Sequence, residues 1–347
     1  VRLLLSLIAL LVAADLDAAV VYDFTPVTQQ IDTLLQTYPS INGASLIVIR
    51  NGSVLYEQYF GTYTSTTHIP IASASKWLSA LAIERLVEKQ QMSWSDTVGQ
   101  YFPGAPADKL DITLGQLFSH TSGLPGENGD AACIGDHTNY TLDTCAQQIL
   151  GLTLEYAPGG GFDYGGNSMQ VGGRMAEIAS GKAWDQLFQD EVTTPLGMPD
   201  TSFYFPTMNP QIAGGVGATM LDYANAVQMV AQHGVWNGAQ YLTTDDISVM
   251  QQDQTHGAPI IYTPDPFVYY GYGYGEWRDA VDAQGNAVQV SSTGKYATSP
   301  WVDNETGVAA VFFVYSNYLM LANDLHDLWS NVRNVVTDPI FSDTFGP

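Results

Sequence analysis

The chain has 347 residues, 46% of them hydrophobic and 12% aromatic against 13% charged, enough apolar material for a packed core and too much for a mainly disordered state. Eleven Lys and Arg stand against 35 Asp and Glu, a formal charge of −24 whose field repels phosphate backbones and anionic lipid and argues against nucleic acid as a partner. No Pro-rich or Ser-rich linker divides the chain, so one catalytic unit of two lobes fits the length better than two independent domains.

In chain order, Arg2 precedes the apolar run LLLSLIALLVAA, the layout of a secretory signal and too short for a comfortable membrane span. Residues 1–19 are therefore expected to be a signal peptide, with an uncleaved anchor as the alternative. Residues 20–347 are expected to form a single exported domain, periplasmic or secreted, with no stable membrane association after processing. The segment TPVTQQIDTLLQTY predicts a helix from near Thr25. ASLIVIR and SVLYEQYF flank Asn51-Gly52, the signal of a hairpin with a type I′ turn. From Ser75 to Gln90 the apolar residues recur at helical spacing. Residues 120–166, rich in Gly, Asp, Asn and Pro, read as loops.

That loop-rich stretch holds the only two cysteines, Cys133 and Cys145. Export makes a disulfide across their 11 intervening residues the first reading, with two free buried thiols as the alternative; a metal site has only His137 nearby as a third ligand. Beyond it, SMQVGGRMAEIAS, AWDQLFQDEV and ATMLDYANAVQMVAQ read as helices. FVYYGYGYGEW, AVQVSST and GVAAVFFVYS read as strands, and LMLANDLHDLWSNVRNVV as a closing amphipathic helix. Strands at both ends around a helical middle predict an α/β protein of the α+β type. It has an antiparallel sheet flanked by helices, with a sheet lobe from about 25–72 and 205–347 and a helical lobe at about 73–204.

The chemistry begins in IASASKW, where Ser73 and Lys76 lie three residues apart at the start of the predicted helix, so their side chains share one face about 5–6 Å apart at Cβ. A serine hydroxyl is a weak nucleophile until a base takes its proton. A lysine serves as that base when burial and the positive potential of a helix N-terminus lower its pKa. Ser-x-x-Lys alone is a common pattern. Here LGQLFSHTSGLP at 114–125, PGGGFDY at 158–164, PLGMPDTSF at 195–203 and SSTG at 291–294 follow it in order.

With these motifs the chain resembles the serine β-lactamase and D,D-peptidase superfamily, in the branch of class C β-lactamases, D-alanyl-D-alanine carboxypeptidases and family VIII esterases, from about Thr25 to Val336. The resemblance implies that Ser73 accepts the acyl group, Lys76 is its proton partner, and Tyr164 shuttles a proton between Ser73 and the leaving group. It also implies an oxyanion hole made by the backbone amides of Ser73 and Lys295. Two positions depart from the pattern. The Asn expected two residues after Tyr164 is replaced by Gly166, with Asn167 one place later as a candidate substrate contact. The third motif, usually Lys-Thr-Gly or His-Thr-Gly, reads Ser292-Thr293-Gly294, a candidate substrate-binding stretch that lacks the cation for a substrate carboxylate. Lys295 follows it, but neighbouring strand residues face opposite sides.

His120 is read as bracing the site, and the aromatic run from Tyr269 to Trp277 as a sheet face or the lining of an acyl pocket. No Gly-x-Ser-x-Gly, zincin, P-loop or dinucleotide motif occurs, so no cofactor or metal is implied. The expected protein is a secreted serine hydrolase of small esters. A β-lactamase or D-amino-acid peptidase and a non-catalytic cell-wall peptide binder are the alternatives.

Overall fold

The computed structural model describes residues 20–205, 208–264, 267 and 270–341, so the expected signal segment 1–19 lies outside the described residues. Helix α1 (Thr25–Thr37) carries Pro26 in its first turn, where a missing N–H breaks no helical bond, and buries Val27, Ile31 and Leu34 at helical spacing. Strands β1 (Gly43–Arg50) and β2 (Ser53–Gly61) are joined by Asn51 and Gly52 with φ of 49° and 80°, the paired left-handed residues of a type I′ turn. β1 is buried along nearly its whole length and β2 is largely exposed, as befits a strand at the sheet edge.

The C-terminal part supplies β3 (Trp277–Val281), β4 (Ala287–Ser291), β5 (Ser299–Asp303) and β6 (Val308–Val314). The sheet order is β3-β4-β5-β6-β1-β2, antiparallel throughout, with Val311 opposite Ile47 where the two ends of the chain meet. One face packs on α1 and the closing helix α5 (Tyr318–Thr337) through Val27, Leu46, Phe312 and Leu325. The other face packs on α4 (Met220–Ala231) through Ile47, Val227 and Phe313, and the same core continues into α2 (Ser75–Glu88) and α3 (Asn167–Ser180) through Leu78 and Met169. Helix α2 is apolar around most of its circumference, so it runs through the core and not along its surface.

Four expectations about elements change, the first being that the stretch 120–166, read as loops, contains a helix at Leu142–Leu150 started by the Thr141 cap. The described part of the aromatic run before β3, 270–276, is a loop: Gly271 and Gly275 take φ of 87° and 80°, and one isolated bridge joins Tyr272 to Trp277 at the start of β3. Its alternation of aromatic and Gly mimics the period of a strand, but glycines at positive φ turn the chain. The helix in AWDQLFQDEV ends at Phe188, and a wider π turn follows over Gln189–Thr193. Strand β5 was hidden by Pro300. Cys133 and Cys145 form a disulfide that ties the 126–137 loop to the helix Leu142–Leu150; on chain entropy it contributes about 3 kcal/mol.

Several acids are buried without an ion-pair contact among the described residues. Burial pushes Glu84 up to about 7 although Trp94 Nε1 donates to it at 2.7 Å, and pushes Asp163 up to about 6. Burial also holds Glu276, neither of whose carboxyl oxygens has a hydrogen-bond partner, well above the usual carboxylate range. A carboxyl whose pKa is higher folded than unfolded favours folding fully below its unfolded pKa, and this advantage is lost as pH rises through the folded value. Self-repulsion at −24 acts in the same direction. The melting temperature is therefore expected to be several degrees higher at about pH 5 than at about pH 8. Glu276→Gln should narrow the gap by raising the value at the higher pH. Calorimetry at the two pH values checks this, and a protein more stable at the alkaline end would contradict it.

Candidate active site

The turn Ala72–Ala74 is a 3₁₀ segment that feeds α2, so Ser73 stands just before the helix and Lys76 inside its first turn. Ala72 has φ of 47°, a left-handed conformation that costs a residue with a Cβ about 1–2 kcal/mol and places strain next to Ser73. The Lys76 ammonium donates to Ser73 Oγ at 3.1 Å and to Ala213 O at 3.0 Å, and lies 4.3 Å from the centroid of the Tyr164 ring. Because α2 is a core helix, Lys76 is almost wholly desolvated. Burial brings its pKa down to about 8, against the charges of Asp130 and Glu127, which hold it up. The serines that follow in α2 are committed elsewhere: Ser75 Oγ donates to Ala72 O and Ser79 Oγ to Ile212 O.

Tyr164 is buried, stacks on Trp277 with centroids 5.0 Å apart, and lies on the cavity wall with Ser73 and Lys76. The cavity encloses about 480 Å³ and is also lined by Glu127, Asp130, Gln211, Tyr262, Thr293, Lys295, Tyr318 and Leu319. Gly294 explains how the end of β4 reaches the nucleophile turn. A Cβ there would fall 2.1 Å from Ile71 O, so only Gly lets the two backbones approach and brings Lys295 to the cavity beside Ser73.

Several candidates stand differently from their expected contacts with substrate. Asn167 is completely buried: its Oδ1 accepts from Ala131 N at 2.9 Å, and its Nδ2 donates to Pro125 O at 2.9 Å and Gly129 O at 3.1 Å. It shapes the 125–131 loop and does not reach the cavity, because its amide is fully engaged. Ser292 is also buried, its hydroxyl donating to Gly275 O at 3.1 Å, with Ser73 O at 3.4 Å; it braces the nucleophile's backbone. Gly294 acts through its missing side chain. Of the motif, Thr293 lines the cavity, and its hydroxyl shares a hydrogen bond of 2.9 Å with Ser299. The Lys295 side chain is 73% exposed at the rim, with Nζ 3.8 Å from Glu127 Oε1.

His120 is buried with both ring nitrogens lacking a hydrogen-bond partner, and packs its ring against Tyr164, Phe162 and Tyr272. Burial and the nearby Lys76 keep it neutral, well below the usual histidine range. Of the aromatic run, Trp277 reaches the cavity, whereas Tyr274 stacks on Trp94 in the core.

Residues 31–331 match the family model described as Beta-lactamase. The chain belongs to the beta-lactamase family. A solved structure of a putative beta-lactamase from Bacteroides dorei DSM 17855 is 32% identical, with a TM-score of 0.79, over 91% of this chain and 100% of that one. EstCE1, described as a hydrolase with promiscuous acyltransferase activity, superposes with a TM-score of 0.73 at 20% identity over 90% of this chain and 98% of its own, a likeness of fold alone. Among curated proteins, Protein flp of Staphylococcus aureus (strain MW2) is 27% identical over 190 residues, which are 50% of this chain but only 38% of that protein. Membership of this family accounts for the mixed fold and supports hydrolase chemistry.

Sequence reasoning missed Asp130 and Glu127. Both sit in the Gly-rich loop GENGD at 126–130, where no periodicity says which way a side chain points. The loop is fixed by tertiary bonds: Glu127 N donates to Tyr164 O at 2.8 Å, and Gly126 N to Asp163 Oδ2 at 2.8 Å.

Proposed function

We propose that this chain is an exported serine hydrolase of small carboxylic esters that works through an acyl-enzyme on Ser73. The observation that carries the reading is the buried Lys76, 3.1 Å from Ser73 Oγ and with its pKa lowered to about 8. In its neutral form Lys76 takes the hydroxyl proton as Ser73 Oγ bonds to the ester carbonyl carbon. The backbone amides of Ser73 and Lys295 hold the oxyanion. When the tetrahedral species collapses, the carbon–oxygen bond to the alcohol breaks and the leaving oxygen takes a proton passed on through Tyr164. Water then attacks the acyl-enzyme, giving its proton back through the same groups, and the acid leaves with Ser73 restored.

An ester substrate is supported by what the cavity lacks. Ser292 stands where the motif usually carries a cation, and among the described lining residues the only cations are Lys76, which serves Ser73, and Lys295, exposed at the rim 3.8 Å from Glu127, so the motif position offers no charge to a substrate carboxylate. β-Lactams and D-Ala-D-Ala peptides carry that carboxylate. Export is supported by the buried Cys133–Cys145 disulfide, a bond that oxidising compartments maintain.

The test is hydrolysis of p-nitrophenyl butyrate beside a chromogenic cephalosporin. Ester turnover with slow or absent cephalosporin turnover is expected, and the reverse ranking would move the reading to a β-lactamase. The pH profile is a second check. Protonated Lys76 cannot accept a proton, so kcat/KM should rise by about tenfold per pH unit on the acid side and level off above an apparent pKa near 8.

A further inference from the structure

Gly166 leaves the cavity wall without a side chain at its position, and another residue's carboxylate lies against it. A Cβ placed on Gly166 would lie 3.4 Å from both carboxylate oxygens of Asp130, so that group stands in contact distance of the place where a side chain at 166 would begin. Gly166 N donates to Asp130 Oδ1 at 3.1 Å, and both residues line the cavity that holds Ser73 and Lys76. Where the family pattern has a neutral amide two residues after the tyrosine, this protein presents an anion.

The position is held firmly. Asn167 fixes the backbone on either side through Gly129 O and Ala131 N, and the Cys133–Cys145 disulfide anchors the next turn. Asn209 Nδ2 adds bonds to Cys133 O at 2.9 Å and Asp136 O at 3.0 Å. A carboxylate set this rigidly in the cavity of the nucleophile loses little entropy in binding a ligand.

The charges in the cavity say which ligand. Its lining has two cationic side chains, Lys76 and Lys295, and two acidic ones, Glu127 and Asp130, among the described residues. Glu127 and Lys295 pair at the rim. Lys76 must be neutral when it accepts the Ser73 proton, and in that reactive form Asp130 is left as one uncompensated negative charge. A cationic group on the substrate restores the balance, and a carboxylate there is repelled.

We propose that Asp130 determines specificity by receiving an ammonium group next to the scissile carbonyl, so that the preferred substrates are esters of amino acids with a free α-amino group. The proposal rests on the reading of Ser73 as acyl acceptor and deepens it.

The test compares two methyl esters that differ only in an ammonium for a methyl: alanine methyl ester, each enantiomer separately, and methyl isobutyrate. Acid release is followed by pH-stat at about pH 7, where an α-amino group is largely protonated. The better alanine enantiomer is expected to exceed the isobutyrate in kcat/KM by about tenfold or more. Asp130→Asn should bring this ratio down to within about threefold of one, and the ratio cancels any effect the change has on Lys76. A wild-type ratio at or below one overturns the proposal, as does a ratio that Asp130→Asn leaves unchanged. If Asp130→Asn does not fold, the calorimetric comparison of ammonium and methyl ligands on Ser73→Ala decides, because an α-ammonium also activates the ester carbonyl by itself. If neither ester is hydrolysed, the esterase reading fails, and calorimetric titration of Ser73→Ala with alaninamide and isobutyramide decides the specificity. Tighter binding of the ammonium ligand upholds the role of Asp130, and equal binding overturns it.

Discussion

Ser73→Ala is expected to lower ester hydrolysis by a factor on the order of 10⁴–10⁶, to the residual level that binding and oxyanion stabilisation alone provide. The change should leave the fold intact. The Ser73 hydroxyl is engaged by Lys76, which keeps its second acceptor, Ala213 O, when the hydroxyl is gone. The melting temperature of the variant should therefore match the wild type, which separates a chemical loss from an unfolded one. No neighbouring serine can stand in, because Ser75 Oγ also accepts from Val216 N at 3.0 Å and lies behind the turn with its hydroxyl bound to Ala72 O. A fluorophosphonate should add one adduct to the wild type and none to Ser73→Ala. Turnover that persists in the variant, or labelling of another serine, would remove Ser73 from the mechanism.

The reasons this site was partly legible in the sequence are local. Ser73 and Lys76 are linked by three residues of helical geometry, a spacing that survives whatever the rest of the chain does. The hairpin at Asn51-Gly52 and helix α1 were readable for the same reason: a turn type or a periodicity is decided within a few residues. Asp130 was not readable, because its approach to Gly166 depends on a loop closed by Asn167, by a disulfide to Cys145 and by the strand Phe162–Asp163, partners from 15 to 37 residues further along the chain. Asn167 shows the converse error. Its closeness to the motif position suggested a substrate contact, but one residue further along places it in the first turn of α3, where its amide points into the 125–131 loop. Ser292 likewise kept its place in the motif and exchanged a ligand-facing role for a bond to the Gly275 backbone. Family membership identifies the fold and the kind of chemistry, and these side chains, which differ from the pattern, carry the question of substrate.

Replacing Lys76 with Met should cost about 10³–10⁴ in kcat/KM, since the variant keeps the length of the side chain and loses the group that accepts the Ser73 proton. The sharper expectation concerns pH. If the acid limb near pH 8 belongs to Lys76, whatever activity remains in Lys76→Met must lack it. Lys76→Arg should restore little, because a guanidinium stays protonated across the working range and cannot act as base. Some loss of stability accompanies Lys76→Met, as Ala213 O loses its donor in a buried place, about 1–3 kcal/mol. Tyr164→Phe separates the second proton carrier from the first. The ring that faces Lys76 and stacks on Trp277 is retained and only the phenol oxygen goes, so the rate should fall by about 10²–10⁴ with the acid limb still near pH 8. A limb that survives in Lys76→Met and disappears in Tyr164→Phe would exchange the two roles: Tyr164 would then be the base, with Lys76 holding its charge beside the phenol.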